Sequence, residues 1–579
     1  MIERVTVAAP DDIPVLDRTA GPLPLSGAQR ALYLVELLHP GTPMYNITVG
    51  VRLEGPLDVP RLRDAVARVA ARHETLRTTF VPGTEPPFEP AQRVGEPDVD
   101  LPVVEEPEET ELRLAQAWAD EPFDLRRGPL LRTRLLRTAP DRHLLVVTMH
   151  QLVSDGPSLQ VFFDELADGY AGRPEPAAPL QFADYAAWQR SHPADDEQLG
   201  WWRERLAGVP TVLKLPSDRP RPAVAGTHGG NHHHRLPATT MTPALQVAKQ
   251  LRVTPFVLML TAYAILLSRL AGRRDVLVGV PVSGRDRPEL ESTIGFFATT
   301  LPVLVEAHAD RSFADLCRSV QVELLDVLTH REVTMEQLAQ ELTPDRDPGH
   351  APLTQAFFSF EPDPIARPRL AGLRATAIDL PPSGAKVDLD MLIFRSAGGG
   401  NDFDLTLTYR SDLFEATTIA VIATHFERLL VAAVTEPAAT IRSLPDPLLP
   451  PSRRAVAAPA PRLDLAPLAH AGIEQDLVRI WREVLGRDDV GQDDNFFDLG
   501  GTSFALATVH TLIGARTGVR TSLVSLLEYP TIAALARHLT GGPQTGPAAA
   551  EPLARARASG LRDRRNRLLR ERSGRKAGE

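Results

Sequence analysis

The chain has 579 residues, 43% apolar and 24% charged, an ordinary globular composition with enough apolar side chains for several cores. A single cysteine excludes a disulfide framework and any cysteine-based zinc site, and a net charge of −11 argues against a nucleic-acid-binding core. No basic-then-apolar leader opens the chain, and the longest apolar run, 255–267, is too short to span a bilayer. The expectation is a cytoplasmic, multidomain protein with no nucleic-acid or membrane partner.

In chain order, residues 45–53 alternate as a strand and 57–72 carry apolar residues at helical spacing. Residues 143–149 read as a buried strand that runs into His150-Gln151-Leu152-Val153-Ser154-Asp155-Gly156, and then into a helix over 158–170. A polar, glycine-containing corner between strand and helix can aim side chains from rigid ends, so His150 reads either as a satisfied core histidine or as a reacting group. A compositional break at 215–227 separates two stretches in which helices and strands alternate, which suggests two α/β lobes. The second stretch holds a helix over 255–269, strands over 276–282 and 403–409, and a helix over 312–328 that would bury Cys317 as an inert thiol. His228 and His232 to His234 form a cluster that reads poorly as a metal site, because neighbours on an extended chain point to opposite faces.

At 443–468 Pro and Ala dominate and the apolar period disappears, which marks an interdomain linker. Beyond it the pattern is purely helical, with helices over 473–485, 503–517, a short middle segment and 531–539, a small all-α four-helix bundle. The chain ends in a basic segment that reads as solvated tail or as a short docking helix.

Asp494-Asn495-Phe496-Phe497-Asp498-Leu499-Gly500-Gly501-Thr502-Ser503 precedes the helix at 503. Two glycines there let the backbone turn, and Ser503 reads either as a plain helix cap or as an exposed attachment point. A phosphodiester at that position would meet the free N–H groups of a helix start. The segment resembles the peptidyl carrier proteins of nonribosomal peptide synthetases over about 70 residues. Tyr529-Pro530-Thr531-Ile532 and Leu535-Ala536 match the closing helix, while Thr502 stands where many carriers have His or Asp. The resemblance implies covalent 4′-phosphopantetheine on Ser503, holding an acyl or aminoacyl thioester.

The larger region resembles the condensation domain of the same synthetases. The resemblance rests on Ser26-Gly27-Ala28-Gln29-Arg30 with Tyr33, Arg72-His73-Glu74-Thr75-Leu76-Arg77, Asp184-Tyr185-Ala186-Ala187-Trp188, Gly284-Arg285, Ile294-Gly295-Phe296-Phe297 and Asp412-Leu413-Phe414. It implies an α/β fold of two chloramphenicol-acetyltransferase-like lobes in a V. The implied boundaries are 20–445 for the condensation domain (lobes about 20–190 and 191–445), 446–469 for the Pro/Ala linker, 470–540 for the carrier and 541–579 for the basic tail. The family's core motif is two histidines, three variable residues, then Asp-Gly. Here it reads His150, Gln151, three variable residues, Asp155 and Gly156, so the histidine usually assigned to catalysis is glutamine. The resemblance further implies a structural salt bridge between Asp155 and Arg285. Smaller departures are Thr299, where Asn is common, and Glu332, where Asp is common.

A glutamine amide cannot serve as a general base, a loss of about 10²–10⁴ in rate. Holding amine and thioester together supplies effective molarities of about 10⁵–10⁸ M, and an α-amine with a pKa of about 7.7–8.0 is already partly free base. Proximity can therefore carry amide formation, with Gln151 orienting the amine through its carbonyl oxygen. The other reading is a condensation-inactive platform that presents a carrier-bound substrate to tailoring enzymes. No adenylation-type phosphate loop and no Gly-x-Ser-x-Gly is seen. The expected partners are therefore an upstream donor carrier, a stand-alone adenylating enzyme that loads Ser503 in trans, a phosphopantetheinyl transferase, and a downstream synthetase or release enzyme.

Overall fold

The computed structural model describes residues 12–19, 21–83, 88–175, 177–222, 225–342, 349–361, 369–378, 380–396, 400–447, 472–519, 521 and 523–540. All but the first residues of the expected linker, and all of the basic tail, lie outside the described residues. Two compact units divide the chain, Met1–Ala460 and Pro461–Glu579.

In the first unit, the strand Arg142–His150 is buried from His143 onward, because its run Leu144-Leu145-Val146-Val147 faces packed elements on both sides. It pairs antiparallel with Asn46–Glu54 and Leu131–Ala139, with Asn46 opposite His150. Leu145, Val147 and Met149 meet the helices Val59–Arg72 and Gly156–Tyr170, while Leu144 and Val146 meet the helix Glu111–Ala119. This is the period-two alternation of a strand buried on both faces.

The second half of the unit is a six-stranded mixed sheet, in the order Thr299–Glu306, Asp275–Val282, Ala356–Glu361, Leu389–Arg395, Phe403–Arg410, Gly229–Leu236. Against it lies the helix Pro255–Ala271, buried without interruption from Val257 to Ser268. Cys317 is buried in the helix Phe313–Thr329, and burial pushes its thiol up to about 12. The helix Ala416–Thr435 exceeds the run at 255–267 and is long and apolar enough to cross a membrane by length and composition. Its Ile419, Ile422, Phe426, Leu429 and Leu430 are buried in the core, so its apolar character belongs to packing.

The expected division into lobes near residue 190 is interrupted by one strand among the described residues. Arg374–Ile378, from the second half, pairs antiparallel with Asn46–Glu54 and completes the first half's sheet. Residues 380–388 then cross back, and Leu389–Arg395 enters the six-stranded sheet. A short strand such as this, with only Ala375 and Ile378 partly buried, carries too weak a pattern to be seen in sequence. The crossing is held by a buried ion network: Asp388 pairs with Arg221 and lies 3.6 Å from Arg410, which binds Asp412 at 2.6 Å. The expected linker also begins late, since the Arg269 guanidinium donates to the carbonyl of Leu444 at 2.8 Å and lies 3.2 Å from Asp446.

Gly295 marks a tight meeting of the two halves, because a Cβ there would stand 2.1 Å from the Phe182 ring. Gly295→Ala should cost about 1–3 kcal/mol through overpacking, read as a lowered midpoint in denaturant unfolding.

Candidate active site and carrier segment

The strand Arg142–His150 ends in a single 3₁₀ turn, Gln151–Val153, followed by the helix Gly156–Tyr170. Asp155 caps that helix. Its Oδ1 accepts from the Ser158 N–H at 3.0 Å, the Ser158 hydroxyl at 2.7 Å and Arg285 Nη2 at 2.9 Å. Its Oδ2 accepts from Arg285 Nη1 at 2.7 Å and from the N–H groups of Phe297 and Ala298 at 3.1 and 3.2 Å. The carboxylate is buried and fully used, and the Arg285 guanidinium also lies 4.3 Å from the Phe297 ring centre. A bidentate, charge-assisted pair with four further donors fixes a loop and leaves no lone pair for proton transfer.

His150 is equally committed. Its Nδ1 accepts from the Leu152 N–H at 3.1 Å, which puts the proton of the neutral ring on Nε2, 3.3 Å from Glu36 Oε1. The ring is 1% exposed, with the Phe123 ring edge-on at 5.9 Å. Gly156 is the first residue of the helix. Of the motif side chains His150, Gln151 and Asp155, only that of Gln151 is partly exposed.

The Gln151 carbonyl oxygen accepts a hydrogen bond from Lys386 Nζ at 2.7 Å. An ammonium can only donate, so this contact orients the amide and occupies one side of the oxygen expected to hold the amine. Lys386 sits on the crossing segment, and its Nζ lies 5.3 Å from the Tyr45 ring centre. Its surface is reachable by solvent, yet protein surrounds it closely. That enclosure lowers its pKa below the ordinary lysine value, with the charge of Asp390 opposing the shift. Asp390 is raised by the same burial, against the opposing charge of Lys386. Sequence reading missed Lys386 and Glu36. The chain holds four lysines (Lys214, Lys249, Lys386, Lys576) against 59 arginines, and that rarity is the one signal that singles Lys386 out.

The other sequence motifs brace this corner. Ser26 and Gln29 form a capping box at the helix Gly27–Leu38, and Gln29 Nε2 donates to the Leu152 carbonyl at 2.9 Å. Arg72 and His73 reach Glu165 on the helix after the corner at 3.0 and 2.9 Å. Burial alone would raise the Glu165 carboxyl, but His73 and Arg72 together hold it below the usual range. Asp184 accepts from Arg18 at 2.7 and 3.0 Å.

The second unit packs the helices Ile473–Leu485, Ser503–Thr517, Leu523–Glu528 and Ile532–Leu539. Its core includes Leu477, Trp481, Phe496, Val509, Ile513 and Leu535. Gly500 adopts φ +91°, and a Cβ on Gly501 would stand 2.3 Å from the Phe496 ring, so both glycines are required by backbone and packing. The helix that Ser503 opens is capped by Thr502, whose hydroxyl accepts from the Ala505 N–H at 3.1 Å. The capping role therefore falls to Thr502, one residue before the expected position. A serine on the first turn of a helix entered through a tight glycine loop suits a phosphodiester, whose charge the helix N-terminus favours.

The histidine cluster lies on the edge strand Gly229–Leu236, where His234 Nε2 meets Glu427 Oε2 at 2.8 Å. A carboxylate from the helix Ala416–Thr435 thus faces one histidine of the cluster. Among the described residues no group of three or more potential metal ligands converges.

Residues 19–448 match the condensation-domain family model, and residues 475–539 match that of the phosphopantetheine attachment site. The chain belongs to the condensation-domain family of nonribosomal peptide synthetases, with a carrier domain that is a site of covalent 4′-phosphopantetheine attachment. It is 36% identical over 460 residues to phosphinothricin tripeptide synthetase PhsC of Streptomyces viridochromogenes, covering 76% of this chain and 42% of that protein. It is 34% identical over 442 residues to the isonitrile lipopeptide synthase of Mycobacterium tuberculosis, covering 73% of this chain and 18% of that protein. The chain thus spans less than half the length of either relative. Among solved structures, the X-domain from teicoplanin biosynthesis matches with a TM-score of 0.68 at 28% identity, covering 75% of this chain and 100% of that one.

Asp155→Ala should leave Arg285 buried without its partner and cost about 3–5 kcal/mol, read in denaturant unfolding. A variant of full stability that lost only turnover would contradict the structural assignment.

Proposed function

We propose that this chain forms an amide in nonribosomal peptide synthesis: a donor acyl or peptidyl thioester on an upstream carrier is transferred to the amine of an aminoacyl group on Ser503. The single observation that carries this reading is the adjacency, in one chain, of a condensation domain and a phosphopantetheine attachment domain. Condensation domains are amide-forming acyltransferases, and here the acceptor is supplied by the neighbouring unit.

In this mechanism 4′-phosphopantetheine supplies the thiol that holds the acceptor as a thioester. Ser503 carries it, and a phosphopantetheinyl transferase installs it. Residues 449–474 alone separate the two matched regions, and a separate adenylating enzyme loads Ser503 in trans. Asp155, Arg285 and His150 hold the corner rather than exchange protons, since every polar atom of the Asp155 carboxylate and both ring nitrogens of His150 are engaged. Gln151 holds position at the reacting centre. The main term is proximity, worth about 10⁵–10⁸ M in effective concentration. The product remains on Ser503 until a downstream synthetase or release enzyme takes it.

A second reading has one observation in its favour. A related X-domain from teicoplanin biosynthesis was solved in complex with OxyB, at 29% identity and a TM-score of 0.67 over 76% of this chain. On that reading the large domain docks a tailoring enzyme that acts on the substrate held by Ser503.

The mass of the group ejected from the Ser503 arm in the producing host separates the two. Condensation predicts a donor-plus-acceptor species that shrinks to the acceptor alone in Gln151→Ala, and no loaded species in Ser503→Ala. The same single amino acid on wild type and Gln151→Ala would establish the platform reading.

A further inference from the structure

In a chain that uses arginine at 59 basic positions and lysine at four, one lysine sits against the residue that replaces the motif histidine. Arginine stays charged at any accessible pH, whereas lysine can release its proton when its surroundings favour the neutral form. The site supplies a specific geometry for that choice. Lys386 lies on residues 380–388, the crossing between the two sheets, and reaches back to the corner at the end of the strand Arg142–His150. Its nitrogen is 2.7 Å from Gln151 Oε1 and 5.3 Å from the Tyr45 ring centre.

We propose that Lys386 is the proton-transfer residue of this centre, oriented by Gln151 and doing the work for which the amide of Gln151 has no chemistry. The inference rests on the condensation reading above. Neutral Lys386 Nζ accepts a proton from the attacking amine as its nitrogen bonds to the thioester carbonyl carbon. The C–S bond then breaks, and the departing thiolate takes that proton from the Lys386 ammonium. One amine and one thioester give one amide and one thiol, with the lysine returned to its starting state and no further reactant consumed.

The surroundings are consistent with this exchange. The protein that closely surrounds this solvent-reachable side chain favours the neutral amine, and Asp390 on the strand Leu389–Arg395 opposes it. Tyr45, on the chain entering the strand Asn46–Glu54, presents its ring, and burial holds its phenol protonated. Tyr263, on the helix Pro255–Ala271, feels the charge of Asp390 from the core side, and burial holds it protonated as well. Glu36, at the end of the helix Gly27–Leu38, bears on Tyr45 and is bound by His150. Among the described residues, the carboxyl of Asp390 acts on Lys386 and favours its protonated form, which helps the lysine take up the amine proton.

Two measurements on the full-length, phosphopantetheinylated chain test the assignment. The first needs no variant: trace labelling with fluorodinitrobenzene across pH, resolved by peptide mass spectrometry, with the exposed Lys214 and Lys249 as internal references. Lys386 should reach half-maximal reactivity at a lower pH than both references, as an enclosed amine does; reactivity in step with them overturns the proposal. The second compares amide formation by Lys386→Arg and Lys386→Met. Both should fall by about 10²–10⁴ and lose the limb of the pH–rate profile that tracks the labelling curve. Wild-type rates in Lys386→Arg would assign a fixed positive charge instead and overturn proton transfer. A wild-type chain that forms no amide with loaded partners removes the condensation reading and the proposal together, whereas an active wild type with unaffected variants removes the proposal alone.

Discussion

Six hydrogen bonds converge on one carboxylate, that of Asp155, and they come from both halves of the large unit. Ser158 belongs to the helix that Asp155 caps, while Arg285, Phe297 and Ala298 come from the second half, more than 120 positions along the chain. Burying a charge this completely is tolerated because each lone pair is used. The consequence is mechanical. The strand-to-helix corner cannot shift without breaking the joint between the halves, so whatever side chain stands at position 151 is aimed by the whole fold.

That constraint changes how the motif departure is read. If Asp155 and His150 are both committed to holding the corner, then replacing the second histidine by Gln151 leaves the scaffold intact and alters only the group that faces outward. Gln151 in turn is met by Lys386, whose segment runs from one sheet to the other. An amide facing an enclosed lysine is a different centre from an imidazole, because the titratable group has moved from the corner to the crossing segment. The brace provided by Gln29, Arg72 and His73 explains why motifs scattered over the first half belong together: each ties an element to the corner or to the helix behind it, while Asp184 anchors Arg18, which also binds Glu74.

The local elements were legible in the sequence wherever burial imposes a strong period. The run at 143–149, the helical spacing at 57–72 and 255–269, and the four helices of the carrier all fall within a few residues of the observed bounds. Contacts that depend on distant pairing were not. Arg374–Ile378 is short and weakly patterned, and only its register with Asn46–Glu54 makes it part of the first sheet. Lys386 and Glu36 have no local signature, because their meaning comes from Gln151 and His150, 235 and 114 positions away. At the carrier, the glycines were read correctly as a turn, but Thr502 rather than Ser503 makes the cap, a one-residue distinction that side-chain geometry alone resolves.

On this reading a condensation fold without its second motif histidine still forms an amide on its own carrier. The most direct measurement is a single turnover: the holo chain, loaded with an aminoacyl group on Ser503, is mixed with a donor carrier bearing an acyl thioester, and the mass of the Ser503 arm is followed in time. The expected result is that the acyl group moves to the arm as an amide, with loss of thioester from the donor carrier. Both arms keeping their original loads, or losing them only to hydrolysis, would contradict it.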